Sequence, residues 1–151
     1  MGGLKRILLA EDSPEDVELT LSALSENRLA NEVVTVGDGA EALDYLYKRG
    51  RYADRAGGLP SVVLLDIKMP KVDGLEVLRR IRSDPAMATL PVVMLTSSRE
   101  ESDIIESYKH HVNAYVVKPV AFPDFVEAIK SLGLFWGILN QPPPASNQKA
   151  A

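Results

Sequence analysis

Five short apolar runs rich in β-branched residues, each followed by a stretch with helical spacing, constrain this 151-residue chain more than any other feature. The runs are RILLA (Arg6–Ala10), EVVTV (Glu32–Val36), SVVLL (Ser61–Leu65), PVVMLT (Pro91–Thr96) and AYVVK (Ala114–Lys118). They do not alternate apolar with polar, as a strand with one wet face would, and so predict strands buried on both faces.

The segments between them carry helix signals. Ser13 is placed to cap a first helix, with Pro14 at its first position and Val17, Leu21 and Leu24 on one side. Asp38 with Glu41 three residues later reads as a capping box for a second. A third follows Gly74 with Leu75, Leu78 and Ile81 inward, and a fourth opens at Ser98 with Glu101 and carries Ile104, Ile105 and Tyr108. A fifth lines up Phe122, Phe125, Val126, Ile129 and Leu132. Five alternations of strand and helix predict an α/β fold, a parallel sheet covered by helices on both sides with right-handed crossovers. Residues 1–140 are expected to form one domain. Residues 141–151, QPPPASNQKAA, hold three prolines and almost nothing apolar, and are expected to be a disordered tail.

Composition closes off several classes. A net charge of -4 gives no electrostatic footprint for phosphate backbones, so nucleic-acid binding is not expected. No cysteine is present, which removes disulfides, thiolate nucleophiles and cysteine zinc sites. His110 and His111 are neighbours in sequence, would diverge on a helix, and read as solvated helix surface. The apolar run at the N-terminus is too short for a secretory signal, and no window approaches the roughly 20 apolar residues of a membrane span. A soluble, cytoplasmic protein is expected.

In a parallel sheet all strands end at one edge, and ligands bind beyond those carboxyl ends. The first run delivers Glu11 and Asp12 there, the third Asp66, the fourth Thr96 with Ser97 and Ser98, and the fifth Lys118 before Pro119. Three carboxylates at -3 and one lysine at +1 leave -2 crowded together. A divalent cation would neutralise that charge, and hard oxygen ligands without His or Cys point to magnesium. Beside a carboxylate, a lysine and a hydroxyl, such an ion suits in-line phosphoryl transfer with Asp66 as nucleophile. Taken singly, Asp12 reads equally as a turn residue, Asp66 as a strand end, Lys118 as part of a turn and Thr96 as an ordinary strand residue. Their joint occurrence in this strand order carries the functional reading.

The stretches LLAEDSPED, VVLLDIKMPKVDG, VVMLTSS and AYVVKPV, spread over about residues 4–135, resemble CheY-like receiver domains of two-component response regulators. The resemblance implies a doubly wound, flavodoxin-like five-stranded sheet in the order 2-1-3-4-5 with five helices. It implies Asp66 as phosphoacceptor, with magnesium held by Asp12 directly, by Glu11 through water, by Asp66 and by the backbone carbonyl of Lys68. Thr96 and Lys118 would contact the phosphoryl oxygens, the Lys118–Pro119 peptide would be cis, and Tyr115 matches the aromatic switch position. The expected partner is a sensor histidine kinase, and the chain is expected to be a phosphoacceptor rather than an enzyme.

The long segment RGRYADRAGGLPS and the ending LGLFWGIL are similar to the small stand-alone regulators that partner phytochrome-type light-sensing kinases. Leu134, Phe135, Trp136, Ile138 and Leu139 offer more apolar surface than one helix face can bury, which predicts a homodimer with Phe135 and Trp136 at the interface. Two alternatives stand beside this reading. A receiver-like adaptor would no longer use phosphate. A haloacid-dehalogenase-like phosphatase also uses an aspartate nucleophile but expects a second Asp two residues on, where Lys68 stands. No P-loop motif occurs.

Overall fold

In the computed structural model the protein is described over residues 6–25, 32–96, 106 and 109–131. Five strands, β1 (Arg6–Ala10), β2 (Glu32–Val36), β3 (Val62–Asp66), β4 (Val92–Thr96) and β5 (Ala114–Val117), pair in parallel in the order β2-β1-β3-β4-β5. The described α-helices are α1 (Pro14–Ser25), α2 (Gly39–Tyr47), α3 (Gly74–Ser83) and α4 (Phe122–Ser131), and a short 3₁₀ turn covers Gly50–Tyr52. Of the helix expected from Ser98 onward, Glu106 and Lys109 are described, both helical, while Ser97, Ser98, Glu101, Ile104, Ile105 and Tyr108 lie outside the described residues. So do Leu132, Leu134, Phe135, Trp136, Ile138, Leu139 and the 141–151 tail.

Successive side chains of a strand point to opposite faces, and the three inner strands are apolar on both. On β1, Leu8 and Ala10 join Val63 and Leu65 of β3, Val92 and Met94 of β4, and the inward faces of α2 and α3 in one core. Ile7 and Leu9 face the other way, with Val62, Leu64, Val93 and Leu95, against Leu24 of α1 and Phe125 of α4. Of the twelve strand residues just named, all but Ala10 gain roughly 1.5–3 kcal/mol each from full burial. The expectation of two buried faces fails at the sheet edges: Glu32 and Thr35 on β2 and Tyr115 on β5 are exposed, because an edge strand has a neighbour on one side only.

The helix starts follow the expected chemistry. Ser13 caps α1, its Oγ accepting the Asp16 N–H at 3.3 Å. Asp38 Oδ1 accepts the Glu41 N–H at 2.7 Å. Glu41 Oε1 reaches back one residue further than a capping box requires and accepts the Gly37 N–H at 2.9 Å. On α3, Val77, Leu78 and Ile81 are fully buried while Leu75 is only half-buried. His110 and His111 sit in the turn before β5 rather than on a helix, and His111 adopts a left-handed φ of 63°.

The Arg49–Ser61 segment is bound down rather than loose. Arg55 stacks its guanidinium 4.0 Å over the Tyr45 ring and donates from Nε to the Tyr45 carbonyl at 2.7 Å. Tyr52 packs edge-on against Tyr45 at 5.1 Å, and its hydroxyl donates to Glu41 Oε2 at 2.6 Å. Burial first, then the Glu41 carboxylate, pushes the Tyr52 hydroxyl up to about 12.

Candidate functional site

The carboxyl ends of β1, β3, β4 and the residue after β5 converge as a parallel sheet requires. Glu11 follows β1, with its N–H donating to the Val36 carbonyl of β2 at 3.0 Å. Asp66 closes β3, Thr96 closes β4, and the Lys118 N–H donates to the Thr96 carbonyl at 2.7 Å. Glu11 at 2%, Asp66 at 5% and Thr96 at 3% exposure are buried, whereas Asp12 is exposed at the mouth. The Lys118–Pro119 peptide is cis, as expected.

Lys118 is the hub. Its Nζ lies 2.9 Å from Glu11 Oε1, 3.0 Å from Asp16 Oδ2 and 3.3 Å from Asp66 Oδ1. Burial works to lower its pKa, but the hydrogen bonds to Glu11 and Asp16 and the charges of Asp66 and Glu11 outweigh that, so the ammonium is held charged. Glu11 spends its second oxygen, Oε2, on the Ser13 N–H at 3.1 Å. Asp66 goes the other way: burial, and then the negative charge of Glu11, push its carboxyl up to about 7 against the pull of Lys118.

Three carboxylates sharing one ammonium leave negative charge unneutralised, and this is where a cation fits. Glu11, Asp12 and Asp66 each offer a carboxylate oxygen, and these three oxygens all lie within 4.8 Å of one another. An all-oxygen, partly solvated donor set suits a hard divalent ion. The exposed Asp12 leaves room for the waters such an ion keeps.

Every residue expected at the sheet edge within the described part is therefore found there: Glu11, Asp12, Asp66, Thr96 and Lys118. Lys68, exposed in the loop after β3, stands two residues beyond Asp66. Tyr115 is 37% exposed on the outer strand β5. The expected interface residues Phe135 and Trp136 lie outside the described residues. Sequence reasoning missed Asp16, which supplies the third oxygen to Lys118. Its signal was its position in the first turn of α1, the helix that leaves β1 directly over the site.

The comparisons agree with this geometry. The response regulator receiver domain family matches residues 7–130. Response regulator Rcp1 of Synechocystis sp. is 37% identical over 132 residues, covering 87% of this chain and 88% of its own. Its solved Mn(2+)-bound form superposes with a TM-score of 0.73 at 36% identity, over 93% of this chain and 99% of that one. The bacteriophytochrome response regulator AtBRR is 58% identical with a TM-score of 0.84, covering 92% of this chain and 99% of its own. The phosphorylated cyanobacterial phytochrome response regulator RcpA is 42% identical with a TM-score of 0.74, over 89% of this chain and 94% of its own. With the strand order, the acidic cluster and its lysine all in place, the chain belongs to the response regulator receiver domains.

Proposed function

We propose that this receiver accepts a phosphoryl group on Asp66 from a phosphohistidine of a sensor kinase. The observation that carries this reading is the Lys118 ammonium 3.3 Å from an Asp66 carboxylate that is itself buried beside Glu11. An Asp66 oxygen attacks phosphorus, an O–P bond forms as the N–P bond breaks, and the imidazole nitrogen leaves with the electron pair. Lys118 and the Thr96 hydroxyl are the groups at hand to receive the phosphoryl oxygens. Glu11, Asp12, Asp66 and the Lys68 backbone carbonyl would hold Mg²⁺, which supplies charge neutralisation at the transferring group. Phosphoryl transfer in and hydrolysis out would be the chain's own chemistry, with no other substrate turned over.

The partner reading rests on likeness. AtBRR is a bacteriophytochrome response regulator and RcpA a cyanobacterial phytochrome response regulator, which supports a phytochrome-type light-sensing histidine kinase as the donor here. The signal would leave through the face that carries Tyr115, turning inward as Thr96 is drawn to the phosphoryl group, towards a homodimer built with Phe135 and Trp136. No helix among the described residues is long and apolar enough to cross a membrane, and the net charge of -4 disfavours nucleic acid, which together support a cytoplasmic signalling role. The test is a phosphotransfer profile: autophosphorylated phytochrome-type kinase should label this chain faster than unrelated histidine kinases do, with magnesium present and not with chelator. Equal labelling by all kinases would remove the partner assignment, and no labelling by any, or by acetyl phosphate, would remove the phosphoacceptor assignment.

A further inference from the structure

The loop after Asp66, residues 67–73, leans on the first turn of α2. A Cβ built on Gly39 would lie 1.8 Å from the Val72 carbonyl oxygen and 2.6 Å from its carbon, so the two backbones touch and only glycine fits between them. One residue earlier, Asp38 Oδ2 stands 3.6 Å from Lys71 Nζ while Oδ1 caps α2. The loop is strained where it meets this turn. Lys71 has a φ of 69°, and the Val72 N–H donates to the Pro70 carbonyl at 2.8 Å. Together these close a positive-φ γ-turn, which costs a non-glycine residue energy and persists only where its surroundings hold it. The far end is pinned as tightly. A Cβ on Gly74 would lie 2.1 Å from the Asp66 carbonyl oxygen, and the Gly74 N–H donates to the Ile67 carbonyl at 2.7 Å.

The supporting turn is braced in its own right. Glu41 ties down Gly37 through one oxygen and accepts the Tyr52 hydroxyl through the other. A strained loop that holds Lys68 is thus pressed between a fixed helix start and the end of β3.

We propose that Gly39 is a positioning residue for the metal centre: its bare Cα seats the Val72 carbonyl, holds the Lys71 turn and so fixes the Lys68 carbonyl relative to Asp66. This rests on the reading of Glu11, Asp12, Asp66 and the Lys68 carbonyl as the metal site. Mg²⁺ demands near-ideal octahedral geometry, so a ligand loop forced outward weakens it. A methyl group at position 39 would force that movement, because 1.8 Å falls far short of ordinary contact at 3.4–4 Å.

The experiment is calorimetric titration of Mg²⁺ into the full chain and its variants, with circular dichroism to establish folding. Gly39→Ala should bind Mg²⁺ at least about three-fold more weakly, as loss of a group that orients a ligand does. Val72→Gly, which slackens the same loop without crowding it, should weaken binding by a similar factor. Gly58→Ala, where a Cβ meets nothing within 4 Å, should bind as wild type does. A folded Gly39→Ala that binds less than about three-fold more weakly overturns the proposal; should that variant not fold, Val72→Gly decides by the same criterion. Asp12→Asn separates the two levels: if it loses affinity while the loop variants do not, only the seat is wrong, and if it too binds normally, the metal assignment falls with it.

Discussion

Lys118 Nζ and Glu11 Oε1 meet at 2.9 Å although 107 residues of chain separate them, and both side chains are almost out of reach of water, at 8% and 1% exposure. A buried ion pair of this kind is weak evidence for stability in itself, but breaking it by removing one partner leaves uncompensated charge. Here the removal would leave more than one such charge, since Asp66 and Asp16 lean on the same ammonium.

Lys118→Met should therefore lower the unfolding free energy of the metal-free protein by about 3 kcal/mol. Added Mg²⁺ should return part of that loss by replacing the missing positive charge. Urea unfolding in chelator and in magnesium measures both. A loss below about 1 kcal/mol in chelator would mean that the carboxylates do not depend on Lys118.

Asp66 gives a pH dependence of definite sign. Its carboxyl is raised to about 7 in the folded protein against 3.8 for a freely solvated aspartate, so the folded state holds this proton where the unfolded chain has lost it. The contribution is present at low pH and disappears as pH rises through about 7. Asp66→Asn cannot ionise, and in chelator it should be more stable than wild type by on the order of 2 kcal/mol above that range, with the gap shrinking towards acid. Unfolding curves for both proteins across neutral pH should diverge; parallel curves would contradict the burial of Asp66 as a charge.

A separate prediction concerns the scaffold away from the site. Arg82 of α3 donates to the Leu90 carbonyl at 2.7 Å, the Ala88 carbonyl at 3.3 Å, the His111 carbonyl at 2.8 Å and Asn113 Oδ1 at 2.7 Å. Asn113 Oδ1 in turn accepts the Val92 N–H at 2.7 Å, so one guanidinium fixes the approaches to β4 and β5. Arg82→Ala should cost about 2–3 kcal/mol. Arg82→Lys should recover little, because an ammonium cannot span four divergent acceptors. Mg²⁺ affinity should stay at the wild-type value in both, read by calorimetry. A full rescue by lysine would show that charge rather than the fork is what matters.

How far the chain could be read before its structure depended on whether a feature was local or a consequence of position in the sheet. β1, β3 and β4 were readable because unbroken apolar runs such as VVLL have no use except burial on both sides. The cluster of Glu11, Asp66, Thr96 and Lys118 followed, since parallel strands must end at one edge. Burial of β2 and β5 was misjudged because EVVTV and AYVV look like inner strands, and nothing in their residues says that they lie at the rim. Asp16 was missed because its contact with Lys118 spans 102 residues and depends on how α1 packs. Read locally, an acid in the first turn of a helix needs no explanation beyond the helix dipole. Arg49–Ser61 was readable only as an unusual length, and its order comes from Arg55 stacking on Tyr45, a contact that no spacing rule predicts.

The central claim is that Asp66 takes the phosphoryl group, and trapping the aspartyl phosphate chemically tests it most directly. The protein is incubated with acetyl phosphate and Mg²⁺, reduced with borohydride so that a phosphorylated aspartate becomes homoserine, digested and mapped by mass spectrometry. The account predicts homoserine at position 66, with none formed in chelator or in Asp66→Asn. Homoserine at Asp12 or another carboxylate, or undiminished modification of the Asp66→Asn protein, would contradict it.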